Sequence, residues 1–287
     1  MIIDAHHHLL NTPGYLETLV AECRRLEIAK VCLFGGGRFS ADFGLAGDEQ
    51  VLAAGQAYPD LIMPFACFDL GVQSPERINA IGAQGFKGVK FINPTRDYDD
   101  KGFYPVYERL QALGLPAIFH TGIVARSAKD HSHDINNRRH QPICLDTIAR
   151  AFPNLNLIGA HLGNPWYEEA AMALRWNPNL YADLSGSTMK CKPPEFLGGL
   201  LWWTPATRYR DPLGRHAWEK IVFGSDVPAA EIEDVLNDYK RTMAALNLAQ
   251  ELQCKVLHGT MARILGLTGC SGDEQGAVAK TTRRGGR

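Results

Sequence analysis

The sequence lacks an excess of charge of either sign: its 30 lysine and arginine residues are balanced by 31 aspartate and glutamate residues, which gives a net charge of −1. A surface that binds nucleic acid is normally clearly basic, so we expect no nucleic-acid partner. No run reaches the roughly 18 apolar residues that a membrane span needs. The first residues, MIIDAHHHLL, lack the basic start of a signal peptide. We therefore expect a cytoplasmic protein with no membrane partner.

Paired cysteine motifs are also missing, because the seven cysteines lie far apart and none forms a Cys-x-x-Cys pair. Neither a disulfide framework nor a thiolate zinc site is indicated, and most of these cysteines are expected to be small buried side chains. The 28 glycines and 16 prolines are too few among 287 residues for a low-complexity chain. A chain of this length can bury a large core without disulfides.

Short runs of β-branched and aromatic residues alternate with longer segments of helical pattern. These runs cover eight stretches: residues 2–6, 30–34, 62–68, 86–91, 116–120, 156–161, 180–184 and 220–224. They recur about every 31 residues, the size of a βαβ unit. Near-continuous apolar runs are typical of parallel strands that are covered on both faces. The pattern predicts an α/β protein, a single-domain (β/α)8 TIM barrel over residues 1–267. The alternative, an open doubly wound sheet, would more often carry a glycine-rich loop after its first strand, where this chain has histidines.

Two helices can be predicted in detail, over Tyr15–Leu26 and over Tyr104–Leu113 with Gly114 as its cap. Two connections, residues 123–141 and 187–218, are unusually long and follow strands. They are expected to be lids or binding loops over the barrel mouth, or else solvated loops or contacts in a homo-oligomer. Residues 268–287 are small, polar and unpatterned, and are expected to form a flexible tail.

The strongest chemical signal is the histidine run that ends the first predicted strand. Because side chains alternate along a strand, His6 and His8 should project to one side and His7 to the other. Two imidazoles on one side of a rigid strand form a preformed pair of metal ligands. A chance run or the remnant of a tag is the alternative, but the run is embedded in a strand pattern.

Four further polar residues lie near the ends of other predicted strands: Lys90 on the fourth, His120 on the fifth, His161 on the sixth and Asp226 on the eighth. Singly, each has a structural explanation, such as a satisfied core histidine or a helix cap. Together they would cost several kcal/mol each if they were buried without partners, roughly speaking. A divalent cation at the barrel mouth would satisfy them, and polar residues at this end of barrel strands are typically catalytic.

This ordered set resembles the amidohydrolase superfamily. The motifs GVKF, FHTG, AHLG and FGSDVP are similar to its amidohydrolase-related branch of TIM-barrel metal hydrolases, which includes lactonases acting on dicarboxylic acids and decarboxylases similar to aminocarboxymuconate semialdehyde decarboxylase. The resemblance covers about residues 1–266. It implies one divalent metal ion, with His161 positioning or activating water, and the metal ligands His6, His8, His120 and Asp226. Ligands of nitrogen and oxygen suit zinc, and also admit manganese, iron or cobalt.

The resemblance leaves the role of Lys90 and the reaction open. Binuclear members bridge two metals with a carbamylated lysine on strand four, but we expect one ion. Lys90 should then face a substrate carboxylate together with Arg126, Arg138 or Arg139; a lysine without a role is the alternative. The expected reaction is hydrolysis of an amide, ester or lactone bond in a small substrate, with Asp226 as proton acceptor and donor. A non-oxidative decarboxylase is the alternative enzyme, and a metal-free binding barrel is the alternative class.

Overall fold

A computed structural model describes residues 1–127, 130, 133–207 and 214–267, and within them a parallel sheet runs in the order of the sequence from its first to its eighth strand. The strands are β1 (Ile2–His8), β2 (Ile28–Phe34), β3 (Ile62–Cys67), β4 (Gly88–Phe91), β5 (Ala117–Phe119), β6 (Leu157–Gly159), β7 (Leu180–Asp183) and β8 (Ile221–Val222). The alternation of these strands with helices confirms the predicted (β/α)8 TIM barrel.

Backbone hydrogen bonds next to β8 bring the last strand back to the first. The Ala5 N–H donates to the Phe223 carbonyl at 2.8 Å, and the Asp226 N–H donates to the His6 carbonyl at 2.8 Å. These bonds nearly close the barrel. They also fix the loop that carries Asp226 directly beside the histidine run of β1.

The apolar core has two layers, one inside the barrel and one between the strands and the helices. The inner layer contains one to three side chains from every strand except β4, including Ile3, Phe34, Phe65, Ile118 and Val222. The larger outer layer lies between the strands and the helices. This is the packing expected of a barrel whose interior is a core and not a pore.

Most of the helices cover the outside of the sheet through their apolar stripes, whereas the last one packs against the inner layer. They are α1 (Tyr15–Arg25), α2 (Asp48–Ala57), α3 (Arg77–Gln84), α4 (Tyr104–Leu113), α5 (Ile143–Ala151), α6 (Tyr167–Trp176), α7 (Ser187–Cys191), α8 (Pro194–Leu200), α9 (Ile232–Ala245), α10 (Gln250–Cys254) and α11 (Thr260–Ile264). None of the helices in the described ranges combines the length and the apolar composition that crossing a membrane requires.

The two helices predicted in detail are present. In α1, Leu19, Val20 and Cys23 are buried, as the predicted stripe requires. Helix α4 has the predicted bounds, and Gly114 ends it at a φ of 66°, in the left-handed region that glycine adopts most easily.

The connection after β7 is partly helical, because α7 and α8 lie in a segment that the sequence analysis treated as a loop. Of its aromatic residues, Trp203 and Trp218 are buried in the outer layer, whereas Phe196 and Trp202 are partly exposed. The predicted tail, residues 268–287, lies outside the described residues. Of the described cysteines, four are buried, Cys191 and Cys254 are exposed, and all are free thiols.

Candidate metal centre

The side chains of His6, His8 and Asp226 converge at the carboxyl end of the barrel. One oxygen of Asp226, Oδ1, lies 3.5 Å from Nε2 of His6 and 3.7 Å from Nε2 of His8. The three ligand atoms lie within 4.8 Å of one another. Residues 6 and 226 are therefore brought together by the return of β8 to β1, although they are far apart in the sequence.

An irregularity in the pairing of β1 with β2, between Asp4 and His7, sets which way the histidines face. After it, His6 and His8 both contact the ring of Phe34, which belongs to the inner layer. His7 instead faces outward, where its Nε2 lies 2.9 Å from the hydroxyl of Tyr15 on α1. Bulges of this kind often redirect side chains beside active sites.

His120 and His161 lie beside the cluster on the side of β5 and β6, but neither offers an atom to the group of His6, His8 and Asp226 whose ligand atoms lie within 4.8 Å of one another. Nε2 of His161 lies 3.3 Å from Nδ1 of His120 and 3.8 Å from Oδ2 of Asp226. Both His161 and Asp226 adopt a positive φ, of 61° and 47°, which non-glycine residues rarely do. Outliers of this kind cluster at functional sites, where the surrounding structure holds them in place.

Burial keeps several of these imidazoles neutral. It lowers the pKa of His8 to about 3 and lowers the pKa of His120 well below its ordinary value. Burial likewise lowers the pKa of His161, although Asp226 opposes the shift. Neutral imidazole is the form that binds a metal ion.

The carboxyl group of Asp226 remains ionised in this setting. Burial alone would raise its pKa, but the neighbouring imidazoles and the charge of Lys90 outweigh that effect, and its pKa falls below the ordinary value. About a quarter of its side chain, 24%, stays exposed to the mouth of the barrel. Asp226 can therefore contact both the histidines and a small molecule that enters from solvent.

Lys90 is buried next to the cluster, where β4 pairs it with Cys67 of β3 and Ile118 of β5. Its ammonium lies 3.1 Å from Nε2 of His6 and 5.1 Å from the centre of the Phe34 ring. Burial lowers the pKa of Lys90, and nearby carboxylates only partly offset the effect. The other predicted substrate-binding residue, Arg126, lies on the loop after β5 with 95% of its side chain exposed, 3.9 Å from Asp130.

The sequence analysis missed Asp183, a buried carboxylate at the end of β7. Its Oδ2 accepts a hydrogen bond from Nδ1 of His6 at 2.8 Å, and its Oδ1 accepts one from the main-chain N–H of His161 at 3.0 Å. The hydroxyl of Ser185 lies 2.5 Å from the same Oδ1 and 2.9 Å from Nδ1 of His161. Asp183 follows the same rule as the predicted residues, a polar side chain at the carboxyl end of a strand, and that rule would have found it.

A second missed carboxylate, Asp4, holds the loop after β8. It accepts hydrogen bonds from the main-chain N–H of Ser225 at 2.9 Å and from its hydroxyl at 2.5 Å. The Ser225 hydroxyl lies 2.9 Å from Nδ1 of His7, whose opposite nitrogen contacts Tyr15. These contacts position residue 225, and therefore also its neighbour Asp226.

The residues present fit a divalent metal ion. Nε2 of His120 is buried and has no hydrogen-bond partner in the structure. Nδ1 of His8 donates to the Gly35 carbonyl at 2.8 Å, which leaves its Nε2 as an electron-pair donor. Donors of nitrogen and oxygen without sulfur suit zinc and neighbouring transition metals.

The fold of the chain is similar to that of several solved structures. The chain is similar to an uncharacterised TIM-barrel protein from Bordetella bronchiseptica, with 18% identity over 92% of this chain and 98% of that chain and a TM-score of 0.67. It is similar to 5-carboxyvanillate decarboxylase from Sphingomonas paucimobilis, with 13% identity, coverage of 93% and 99%, and a TM-score of 0.62. It is also similar to an amidohydrolase with bound zinc from Burkholderia multivorans, with 14% identity, coverage of 93% and 99%, and a TM-score of 0.61.

Identities this low show a shared fold and no more. No curated protein sequence matches the chain. The family model described as amidohydrolase, however, matches residues 3–267, which is nearly the whole chain and includes all the residues of the cluster. The match confirms the resemblance drawn from the motifs, and the chain belongs to the amidohydrolase family.

Proposed function

We propose that the protein is a metal-dependent hydrolase that cleaves an amide, ester or lactone bond in a small substrate bearing a carboxylate. Its ligands would be His6, His8, His120 and Asp226, and zinc is the ion that suits them best. A small-molecule substrate as the partner and a cytoplasmic location belong to the same proposal. Free, buried thiols support that location, since disulfides are rare there.

The division of the Asp226 carboxylate between two sets of neighbours carries the proposal. Oδ1 faces the two histidines of β1, whereas Oδ2 faces His161. One oxygen can therefore serve as a ligand while the other accepts a proton. Hydrolysis needs such a group, because the attacking water must lose a proton and the leaving group must gain one.

A divalent ion supplies Lewis-acid chemistry, which polarises a carbonyl and can lower the pKa of water to about 7. The remaining work falls to the side chains. Asp226 takes the proton of the attacking water at Oδ2 and returns it to the leaving group. His161, next to Oδ2, orients the attacking water or the scissile carbonyl.

Substrate binding is assigned to Lys90, whose buried ammonium lies beside the cluster. A cation in a dry site attracts a carboxylate strongly, because water does not screen it. Its contact with Nε2 of His6 places that carboxylate next to the reacting bond. Arg126, with its side chain almost fully exposed, would meet only the outer end of a substrate.

The proposal is tested with protein reconstituted with zinc and a panel of carboxylate-bearing lactones, esters and amides in ¹⁸O-labelled water. We expect one ¹⁸O atom in the acid product and loss of turnover after chelation. The Asp226→Asn variant should lower kcat by about 10²- to 10⁴-fold. The matched change Asp238→Asn, on the surface of α9, should not.

Two results would overturn the proposal. Release of carbon dioxide from a carboxylated substrate without uptake of ¹⁸O would establish the decarboxylase instead. Full activity of the Asp226→Asn variant would remove the proton-transfer role.

A further inference from the structure

We propose that Asp183 is a positioning residue that selects the tautomers of three histidines in the cluster, so that each presents an unprotonated Nε2. The relay consists of Asp183, Ser185, His161 and His120, with a separate branch from Asp183 to His6. This role rests on the metal site proposed above. It assigns a function to Asp183, at the end of β7, and to Ser185, in the loop that follows. Both side chains are fully buried.

The first branch fixes His6. A carboxylate only accepts hydrogen bonds, so Nδ1 of His6, 2.8 Å from Oδ2 of Asp183, must carry the proton. In a neutral ring the opposite nitrogen, Nε2, then carries a lone pair. Nζ of Lys90 lies 3.1 Å from that nitrogen, and an ammonium there can only donate, which is compatible with the unprotonated Nε2 that Asp183 selects.

The second branch fixes His161 through a hydroxyl. Ser185 has one hydroxyl proton, and the 2.5 Å contact directs it to Oδ1 of Asp183. The hydroxyl oxygen of Ser185 lies 2.9 Å from Nδ1 of His161. Because its own proton is already used, Nδ1 of His161 must be the donor. The main-chain N–H of His161 also donates to Oδ1, which holds the residue in its unusual backbone conformation.

The tautomer of His120 follows from that of His161. Nε2 of His161 has no proton in a neutral ring, so the 3.3 Å contact is made by the N–H at Nδ1 of His120. Nε2 of His120 is then left with a lone pair, and this is the buried atom that has no partner in the structure. The relay thus ends on an atom that is ready to bind a metal ion.

The Asp4–Ser225 pair supplies a matched control. It has the same chemistry, since a fully buried carboxylate accepts from the main chain and the hydroxyl of one serine. Its serine contacts the ring of His7, which faces away from the cluster. A purely structural role for Asp183 therefore predicts that Asp183→Asn and Asp4→Asn behave alike.

Tautomers are read from long-range ¹H–¹⁵N spectra of the imidazoles in the metal-free protein, and zinc affinity from competition with a chromophoric chelator. We expect Nδ1–H signals for His6, His120 and His161. Asp183→Asn should move His6 to the Nε2–H form, because the new amide can donate to Nδ1. Zinc affinity should fall about 10- to 100-fold, the usual effect of losing such a support. Asp4→Asn should leave the tautomers of all three histidines unchanged, and the surface change Asp238→Asn on α9 should leave zinc affinity unchanged.

Ser185→Ala keeps the carboxylate and serves if the first variant does not fold. It should alter the signals of His161 and His120, whereas His6, which still contacts Asp183, should keep its Nδ1–H form. An Nε2–H signal for His6 or His120 in the unchanged protein would overturn the proposal, as would unchanged tautomers and zinc affinity in Asp183→Asn. No substrate enters these measurements, so a protein that shows the expected signals but hydrolyses nothing would refute the proposed function alone.

Discussion

His140, which is fully buried beside the cluster, is expected to make the fold sensitive to mild acid. Its Nε2 accepts the main-chain N–H of Asn93 at 3.0 Å, and its ring lies 5.4 Å from that of His120. Burial lowers the pKa of His140 to about 4, and the charge of Arg139 acts in the same direction. The substitution His140→Gln removes the titration but retains a hydrogen-bond acceptor.

The sign follows from proton linkage. The unfolded chain binds a proton at His140 below its ordinary pKa of 6.5, whereas the folded protein does so only below about 4. The contribution of neutral His140 to the free energy of unfolding is therefore fully present above pH 6.5 and is lost as the pH falls toward 4. Integrated between pH 7 and pH 5, this one group costs about 2 kcal/mol of unfolding free energy.

The assay is urea unfolding of both proteins at pH 7 and pH 5, followed by circular dichroism. The loss of unfolding free energy between the two pH values should be about 2 kcal/mol smaller in His140→Gln than in the unchanged protein. Contributions of the histidines that lie away from His140 are common to both proteins and cancel in this difference. Equal losses in the two proteins, or a ring of His140 that titrates near 6.5 by NMR in the folded state, would refute the reasoning.

Two further predictions concern the cluster. Lys90→Met should raise KM for carboxylate-bearing substrates by at least about 10-fold, or about 1.4 kcal/mol, with no change for uncharged analogues; steady-state kinetics should show little effect of Arg126→Ala, and the reverse order would reassign the binding role. Gly224→Ala should lower the unfolding free energy by about 1–3 kcal/mol and weaken zinc binding, because its Cβ would lie 2.8 Å from the Cβ of His6. Gly199→Ala, with nothing within 4 Å, should leave zinc binding unchanged and should not lower the melting temperature.

The barrel could be predicted from sequence because each strand is a nearly continuous apolar run. The strand ends were harder to predict, and β5, β6 and β8 are all shorter than expected. After β6, for example, the chain leaves the sheet and His161 adopts a positive φ. The local sequence does not show where the backbone must leave the regular strand conformation so that a side chain can reach its partner.

The connection after β7 is a second difference, because here the structure is more regular than the sequence pattern predicts. Its prolines and aromatic residues are typical of a loop, but Pro194 lies in the first turn of α8, where a missing N–H costs nothing. Met189 and Leu197 are then buried by the two short helices. Packing of so few apolar side chains is decided by the surrounding helices, which a local pattern does not contain.

The candidate site was predictable where its signal was local. His6 and His8 form one strand motif, whereas Asp183 lies 177 residues from the ring that it contacts. Its position at the end of an apolar run was visible, but its hydrogen bonds to His6 and to the main chain of His161 were not. A partner made by barrel closure can be found only once the order of strands is known.

The polar atoms at the barrel mouth differ in how completely their hydrogen bonds are satisfied. A buried donor or acceptor without a partner costs about 1–3 kcal/mol, so folding alone favours complete pairing. Asp4 and Asp183 are paired in this way through both carboxylate oxygens. Nε2 of His120 is not, although the relay that orients it is complete up to its other nitrogen. Hydrogen bonds thus hold the ring of His120 with the lone pair of Nε2 unpaired. This arrangement favours binding of a ligand from outside the polypeptide, such as a metal ion.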